Sequence, residues 1–179
     1  MNGAPRRIWG LMYRHLVLYR TSWPRLFDLM YWPVLQMCIW GFTSVFLATR
    51  LGGPAATAGA ALLGGVLLWE VTVRGQMGVT ISFLEEMWSR NLGHVFVSPL
   101  RPWENIAALF GMSLFRLACG VLPAMGIAWA LYAFNVFALG APLALFFANL
   151  LVMGWAVALG VVAILLRHGA GAEPLAWGV

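Results

Sequence analysis

The chain has 179 residues, 62% of them hydrophobic and only 9% charged, with a mean hydropathy of +0.84. A soluble domain is about a quarter charged, so a chain this apolar cannot cover itself with polar surface and is expected to be an integral membrane protein. Its net charge of +5 comes from eleven arginines and no lysine, spread along the chain and not gathered in one soluble patch; this argues against nucleic-acid binding and for positive charge on the cytoplasmic side of a bilayer.

Residues 5–27 come first. On a helical wheel Ile8, Trp9, Leu11, Met12, Leu16 and Tyr19 share one face, and Arg6, Arg7, Arg14 and Arg20 the other. The pattern predicts a cytoplasmic segment, 1–28, whose amphipathic helix lies in the interface with its arginines toward anionic headgroups. The Arg6-Arg7 pair opens no cleavable signal, because Arg14, Arg20 and Arg25 interrupt the apolar stretch that should follow. The N-terminus is expected to stay in the cytoplasm.

A first span is predicted at about 29–49, with Tyr31-Trp32 at one end, Pro33 near its start and no charge until Arg50. At ~1.5 Å per residue it crosses roughly the hydrocarbon core. Arg50-Leu-Gly-Gly-Pro54 reads as a turn. A second span is predicted at about 55–73, its first half rich in alanine and glycine: Ala55, Ala56, Ala58, Gly59, Ala60, Ala61, Gly64 and Gly65. Small residues let helices approach closely in lipid, so this is the expected packing face. Glu70 and Arg74 stand four apart, acid first, which is the favourable order for an ion pair.

A cytoplasmic loop is predicted over 74–102. Within it Ser82-Phe-Leu-Glu85 has the form of a capping box and predicts a short helix over 83–92. Phe83, Leu84, Met87 and Trp88 fall on its apolar half, Glu85, Glu86, Ser89 and Arg90 on its polar half, and Gly93 is the expected stop. Ten residues are too few to cross a bilayer. Ser98-Pro-Leu-Arg-Pro102 is a turn, with Pro102 opening the next helix.

The apolar run over 103–134 contains Arg116 and Pro123 and predicts one tilted or kinked span, since ~32 residues cannot hold two spans and a loop. Residues 135–141 form a turn, 142–166 a fourth span, 167–174 a polar glycine-rich segment, and 175–179 turns apolar again, as at the start of a fifth span. With the N-terminus inside, nine arginines fall inside and only Arg50 outside, Arg116 being within a span. The fold class read from this pattern is all-α, a polytopic membrane helix bundle.

Chemistry is sparse. Glu85 and Glu86 are no catalytic pair, because adjacent helical residues point about 100° apart. Cys38 and Cys119 lie in apolar runs and read as small buried hydrophobes, and the three histidines make no metal pair. The chain has no GxxxxGK[ST] loop and no lysine, so it is not expected to hydrolyse ATP by that mechanism. Arg116 is expensive inside a span; contact with an anionic substrate or headgroup, pairing with Glu70, and snorkelling all stand open.

The stretch from Leu68-Trp-Glu70 through Arg74-Gly-Gln76, then Ser82-Phe-Leu-Glu-Glu-Met-Trp-Ser-Arg-Asn-Leu92 and Ser98-Pro-Leu-Arg-Pro102, resembles the membrane permease subunit of type 2 ATP-binding-cassette (ABC) exporters. The basic N-terminus and the Arg167–Trp177 stretch are similar too, so the resemblance covers essentially the whole chain. It implies a six-span permease of the plasma (inner) membrane that pairs with a second permease copy and is powered by a separate ABC ATPase subunit carrying the ATP, with no cofactor on this chain. It further implies that Glu85, Glu86, Ser89 and Arg90 form the ATPase-coupling side of the 83–92 helix, while Phe83, Leu84, Met87 and Trp88 hold it to the membrane. The chain reaches Val179 where the family's fifth span would begin, so the resemblance implies a permease domain, 29–179, without its last two spans. Two other classes compete: a non-transporting membrane anchor or assembly protein, and an intramembrane enzyme, against which stands the want of a His/Asp/Glu cluster in the spans.

Overall fold

The computed structural model describes residues 3–51 and 54–178, without the side chains of 51, 54–57, 60, 139 and 170. Seven α-helices and no strands are found among them: α1 (Ala4–Thr21), α2 (Trp23–Leu51), α3 (Pro54–Trp88), α4 (Leu92–Val97), α5 (Pro102–Tyr132), α6 (Ala141–His168) and α7 (Pro174–Gly178). Short 3-10 turns at Val136–Leu139 and Gly169–Ala172 flank α6. Among the described residues three helices, Trp23–Arg50, Pro102–Tyr132 and Ala141–His168, are long and apolar enough to cross a membrane, which fits a membrane-embedded protein. The expected span at 55–73 is the first part of α3; the turn at Gly52-Gly53, the side chains of Ala55, Ala56 and Ala60, and Val179 lie outside the described residues.

The expected helix over 5–27 ends earlier. α1 stops at Thr21, and α2 has begun by Trp23, six residues before the expected span. Pro33 therefore sits inside α2 and not near its start. A proline cannot donate to the carbonyl four residues back, here Leu29 O. A Cβ added to Gly120 would stand 3.1 Å from that oxygen and 3.2 Å from Pro33 Cγ. A side chain there would push α5 and α2 apart by a few tenths of an ångström at the proline.

α1 also packs on a neighbouring helix. It runs along the first four turns of α5, with Arg7 against Glu104, Met12 beside Gly111, and the Tyr19 ring 6.0 Å from that of Phe115. Ile8, Leu11, Met12 and Leu16 are half-buried there and Tyr19 is buried, whereas Trp9, expected on the same face, is exposed.

The largest departure concerns the expected 83–92 helix. α3 runs unbroken to Trp88. The Ser82 hydroxyl donates to Gly78 O, as in a helix interior, and does not cap. A capping box needs a non-helical residue at its head, and nothing between Arg74 and Ser82 breaks the helix: Gly75 and Gly78 serve as close-approach points. A Cβ on Gly78 would lie 2.7 Å from Ser113 Cα, and the Ser113 hydroxyl donates to Gly75 O at 2.8 Å. Trp155 Nε1 donates to that same hydroxyl at 3.1 Å, joining α3, α5 and α6. Gly154 of α6 packs equally tightly on Thr72 O.

α3 ends in a reversal centred on Arg90, whose φ is 53°. Arg90 N donates to Met87 O and Asn91 N to Glu86 O, the paired bonds of a Schellman motif. The stop expected at Gly93 is thus made by Arg90, and Gly93 lies inside α4. Pro102 opens α5 as expected, with Glu104 accepting from Arg101 N at 3.0 Å.

Candidate functional site

Seven charged or ionisable side chains from four helices meet where α1 crosses the end of α3. Glu85 and Glu86, on the last full turn of α3, are the centre. Glu86 is 6% exposed. It pairs with Arg14, accepts from Asn91 Nδ2 at 2.7 Å, and lies 3.3 Å from His15 Nε2. Glu85 pairs with Arg116 Nη2 at 3.1 Å and with Arg25 Nη1 at 3.5 Å, and His15 Nδ1 stands 3.6 Å away. That last distance is too long for a hydrogen bond, and His15 Nδ1 is buried with no partner among the described residues. At the far end of α1, Arg7 Nε donates to the fully buried Glu104 at 3.0 Å.

The arrangement answers the cost of burial. Arg116, 3% exposed, is kept by the Glu85 carboxylate and by the Tyr19 ring, whose centroid lies 5.2 Å from its Cζ. Burial pushes the Glu85 carboxyl up, but His15, Arg116 and Arg25 outweigh burial and hold it below the ordinary carboxylate range. Burial also pushes the Tyr19 phenol up to about 12, so the ring faces Arg116 as a neutral group. Of the roles open to Arg116, the structure shows an ion pair, with Glu85 and not with Glu70. Glu70 pairs with Arg74 at 3.1 Å, as their spacing predicts.

The side chains expected to form two faces of one short helix are redistributed. Glu85 and Glu86 turn inward onto α1 and α5, so they are no outward face. Phe83 and Leu84 are not turned to a bilayer; they are buried against Val161, Val162 and Leu165 of α6 and Ala172 and Ala176 of the C-terminal segment. Met87 is half-buried on that cluster, and Trp88, half-exposed, donates to Glu173 at 3.2 Å. The cause is the continuity of α3, which makes these residues a helix end held between its neighbours. Only Ser89 and Arg90 of the expected coupling set face outward. Beside them α4 presents Phe96, 67% exposed, and Val97, 89% exposed, followed by the exposed Arg101 and Trp103.

The sequence does not single out His15 or Glu104, and it places Arg14 toward headgroups, whereas here Arg14 pairs with Glu86. His15 recurs at helical spacing with Leu11, Leu16 and Tyr19 on the apolar face, and Glu104 follows Arg101-Pro102 at the third helical position; both signals are legible once attended to. Cys38 and Cys119 are free and half-buried. No protein-family model matches the chain, and no curated protein and no solved structure is significantly similar to it.

Proposed function

We propose that the chain is the permease subunit of an ATP-driven exporter in the plasma membrane, with its N-terminus in the cytoplasm and its energy supplied by a separate ABC ATPase subunit that binds the ATP. Two permease copies pair to complete the path, and this chain performs no catalysis of its own. The observation that carries the reading is the segment over 88–103, which holds α4 and the exposed Ser89, Arg90, Phe96, Val97 and Arg101, and which joins the Glu85–Glu86 cluster through Asn91 and so reaches α1, α2 and α5 at once. A partner pressing on this segment moves the helices without touching them. The nine-to-one distribution of arginines supports the orientation.

The docking surface in this proposal is Ser89, Arg90, Phe96, Val97 and Arg101, and Glu85 and Glu86 transmit. ATP-driven closure of the partner displaces the segment, and the ionic cluster passes that displacement to the spans, switching the path between two states.

Affinity purification from native membranes in mild detergent, with mass spectrometry of what accompanies the chain, tests it. An ATPase bearing a GxxxxGK[ST] loop is expected in the eluate, and Val97→Asp is expected to release it while leaving the chain in the membrane. An eluate without such an ATPase overturns the reading.

A further inference from the structure

A cleft of about 670 Å³ opens between α2 and α3, beside α5. Its size is that of a ligand site. Three arginines line it (Arg25, Arg74 and Arg116), and so do three carboxylates (Asp28, Glu70 and Glu85). Two of the carboxylates are answered: Glu70 by Arg74 and Glu85 by Arg116, each at 3.1 Å. That leaves one residue of each sign. Arg25 touches Glu85 through one nitrogen at 3.5 Å and is otherwise open. Asp28 is exposed and has no ion-pair partner among the described residues. Arg116 adds a buried Nε without a hydrogen-bond partner among them.

Arg25 and Asp28 stand three apart on α2 and so share a face. An anionic head would meet donors at Arg25 and Arg116 but also the Asp28 carboxylate. A cationic head would meet Asp28 but also Arg25. A head carrying both a phosphate and an ammonium satisfies both ends. Trp32, Trp69, Trp88 and Trp177 wall the cleft, the residues that favour the boundary between headgroup and chain.

The cleft continues. A second cavity, about 400 Å³, shares Gln36 and Trp69 with it and extends past Trp40 to Gly65. From Asp28 to Trp40 the path along α2 is about 18 Å, against roughly 15 Å for the hydrocarbon of one leaflet. We propose that the α2–α3 groove binds one phospholipid with a zwitterionic phosphate–ammonium headgroup, its head between Arg25 and Asp28 and an acyl chain along Trp40 and Gly65. The inference rests on the membrane reading of the chain and not on the transport reading, and it stands if no ATPase partner exists.

The test is native mass spectrometry of the purified full chain, equilibrated in detergent with equal amounts of phosphatidylethanolamine and phosphatidylglycerol. One phosphatidylethanolamine is expected to be retained over phosphatidylglycerol by about tenfold, the ratio one charge-assisted contact commands. Asp28→Asn is expected to abolish that preference, and Arg25→Gln to weaken retention of both lipids. A Cβ at Gly65 meets nothing within 4 Å, so Gly65→Leu keeps the fold while obstructing the chain's path, and is expected to lower retention without changing the preference. Equal retention of the two lipids, or an unchanged preference in Asp28→Asn, overturns the proposal. Displacement of the lipid by soluble phosphoethanolamine at matched concentration would also overturn it, assigning the site to a free zwitterion.

Discussion

At the scale of single residues, Glu85 carries the most. It is the only carboxylate within reach of Arg116 among the described residues, and Arg116 is buried. Glu85→Gln strands that guanidinium, and breaking a buried pair from one side costs about 3–5 kcal/mol. Unfolding in detergent is expected to show a loss of that order, and Glu85→Gln combined with Arg116→Leu is expected to recover most of it. The depressed Glu85 carboxyl also sets a pH dependence. Its stabilisation is fully present above the unfolded carboxylate value and disappears as pH falls through the lower folded value. Melting temperature measured from neutral to acid should fall in that window, and Glu85→Gln should lack this part of the fall. Both acidic residues and Arg116 stand out in the sequence as rare charges in an apolar chain. Their pairing does not, because 31 residues separate Glu85 from Arg116 and 72 separate Arg14 from Glu86. Contacts between helices carry no local periodicity.

At the scale of elements, glycines decide where helices touch. Gly78→Ala improves helix propensity by about 1 kcal/mol, yet its Cβ would press on the Ser113 backbone at 2.7 Å. Overpacking of this kind costs about 1–3 kcal/mol, so the net change is expected to be destabilising, which thermal unfolding checks. Arg90→Gly is expected to act in the opposite sense. The left-handed φ of 53° suits glycine, and relieving it should stabilise the chain by about 1 kcal/mol in the same assay. Element type was legible almost throughout: the 103–134 run is one helix, 102–132, and the 142–166 run is 141–168. Boundaries failed where polar residues fall inside a helix. Ser82, Glu85 and Glu86 read as a surface segment because water is the usual partner of such groups, whereas here Ser82 bonds back to Gly78 O and the glutamates are met by Arg14, Arg25 and Arg116. The alanine- and glycine-rich start of α3 reads as a packing face, but tight contacts also fall at Gly75 and Gly78, between Arg74 and Thr80, and at Gly120 and Gly154, single glycines in apolar stretches.

At the scale of the molecule, the helices set an orientation that labelling can read. With Cys38 and Cys119 replaced by alanine, single cysteines at Arg6 and Arg90 should react with a membrane-impermeant maleimide from the same side, and one at Phe137, in the α5–α6 turn, from the other. Labelling of Arg6 and Arg90 positions from opposite sides would refute the arrangement. Composition alone makes the membrane class plain; how α1 runs along α5 was hidden, since an amphipathic helix with arginines on its polar face looks the same whether headgroups or Glu86 and Glu104 receive them.

The unbroken course of α3 also has a mechanical side. It spans 35 residues with no internal proline, and it is gripped near one end, where Arg14, Arg25 and Arg116 hold Glu85 and Glu86. It is held again further along, where Thr72, Gly75 and Gly78 meet Gly154 and Ser113, so it cannot tilt about one end without breaking those contacts. An unbroken helix pinned at both places is a strut: a push at Trp88 is carried along its axis to Gly75, about 20 Å away, with no hinge between.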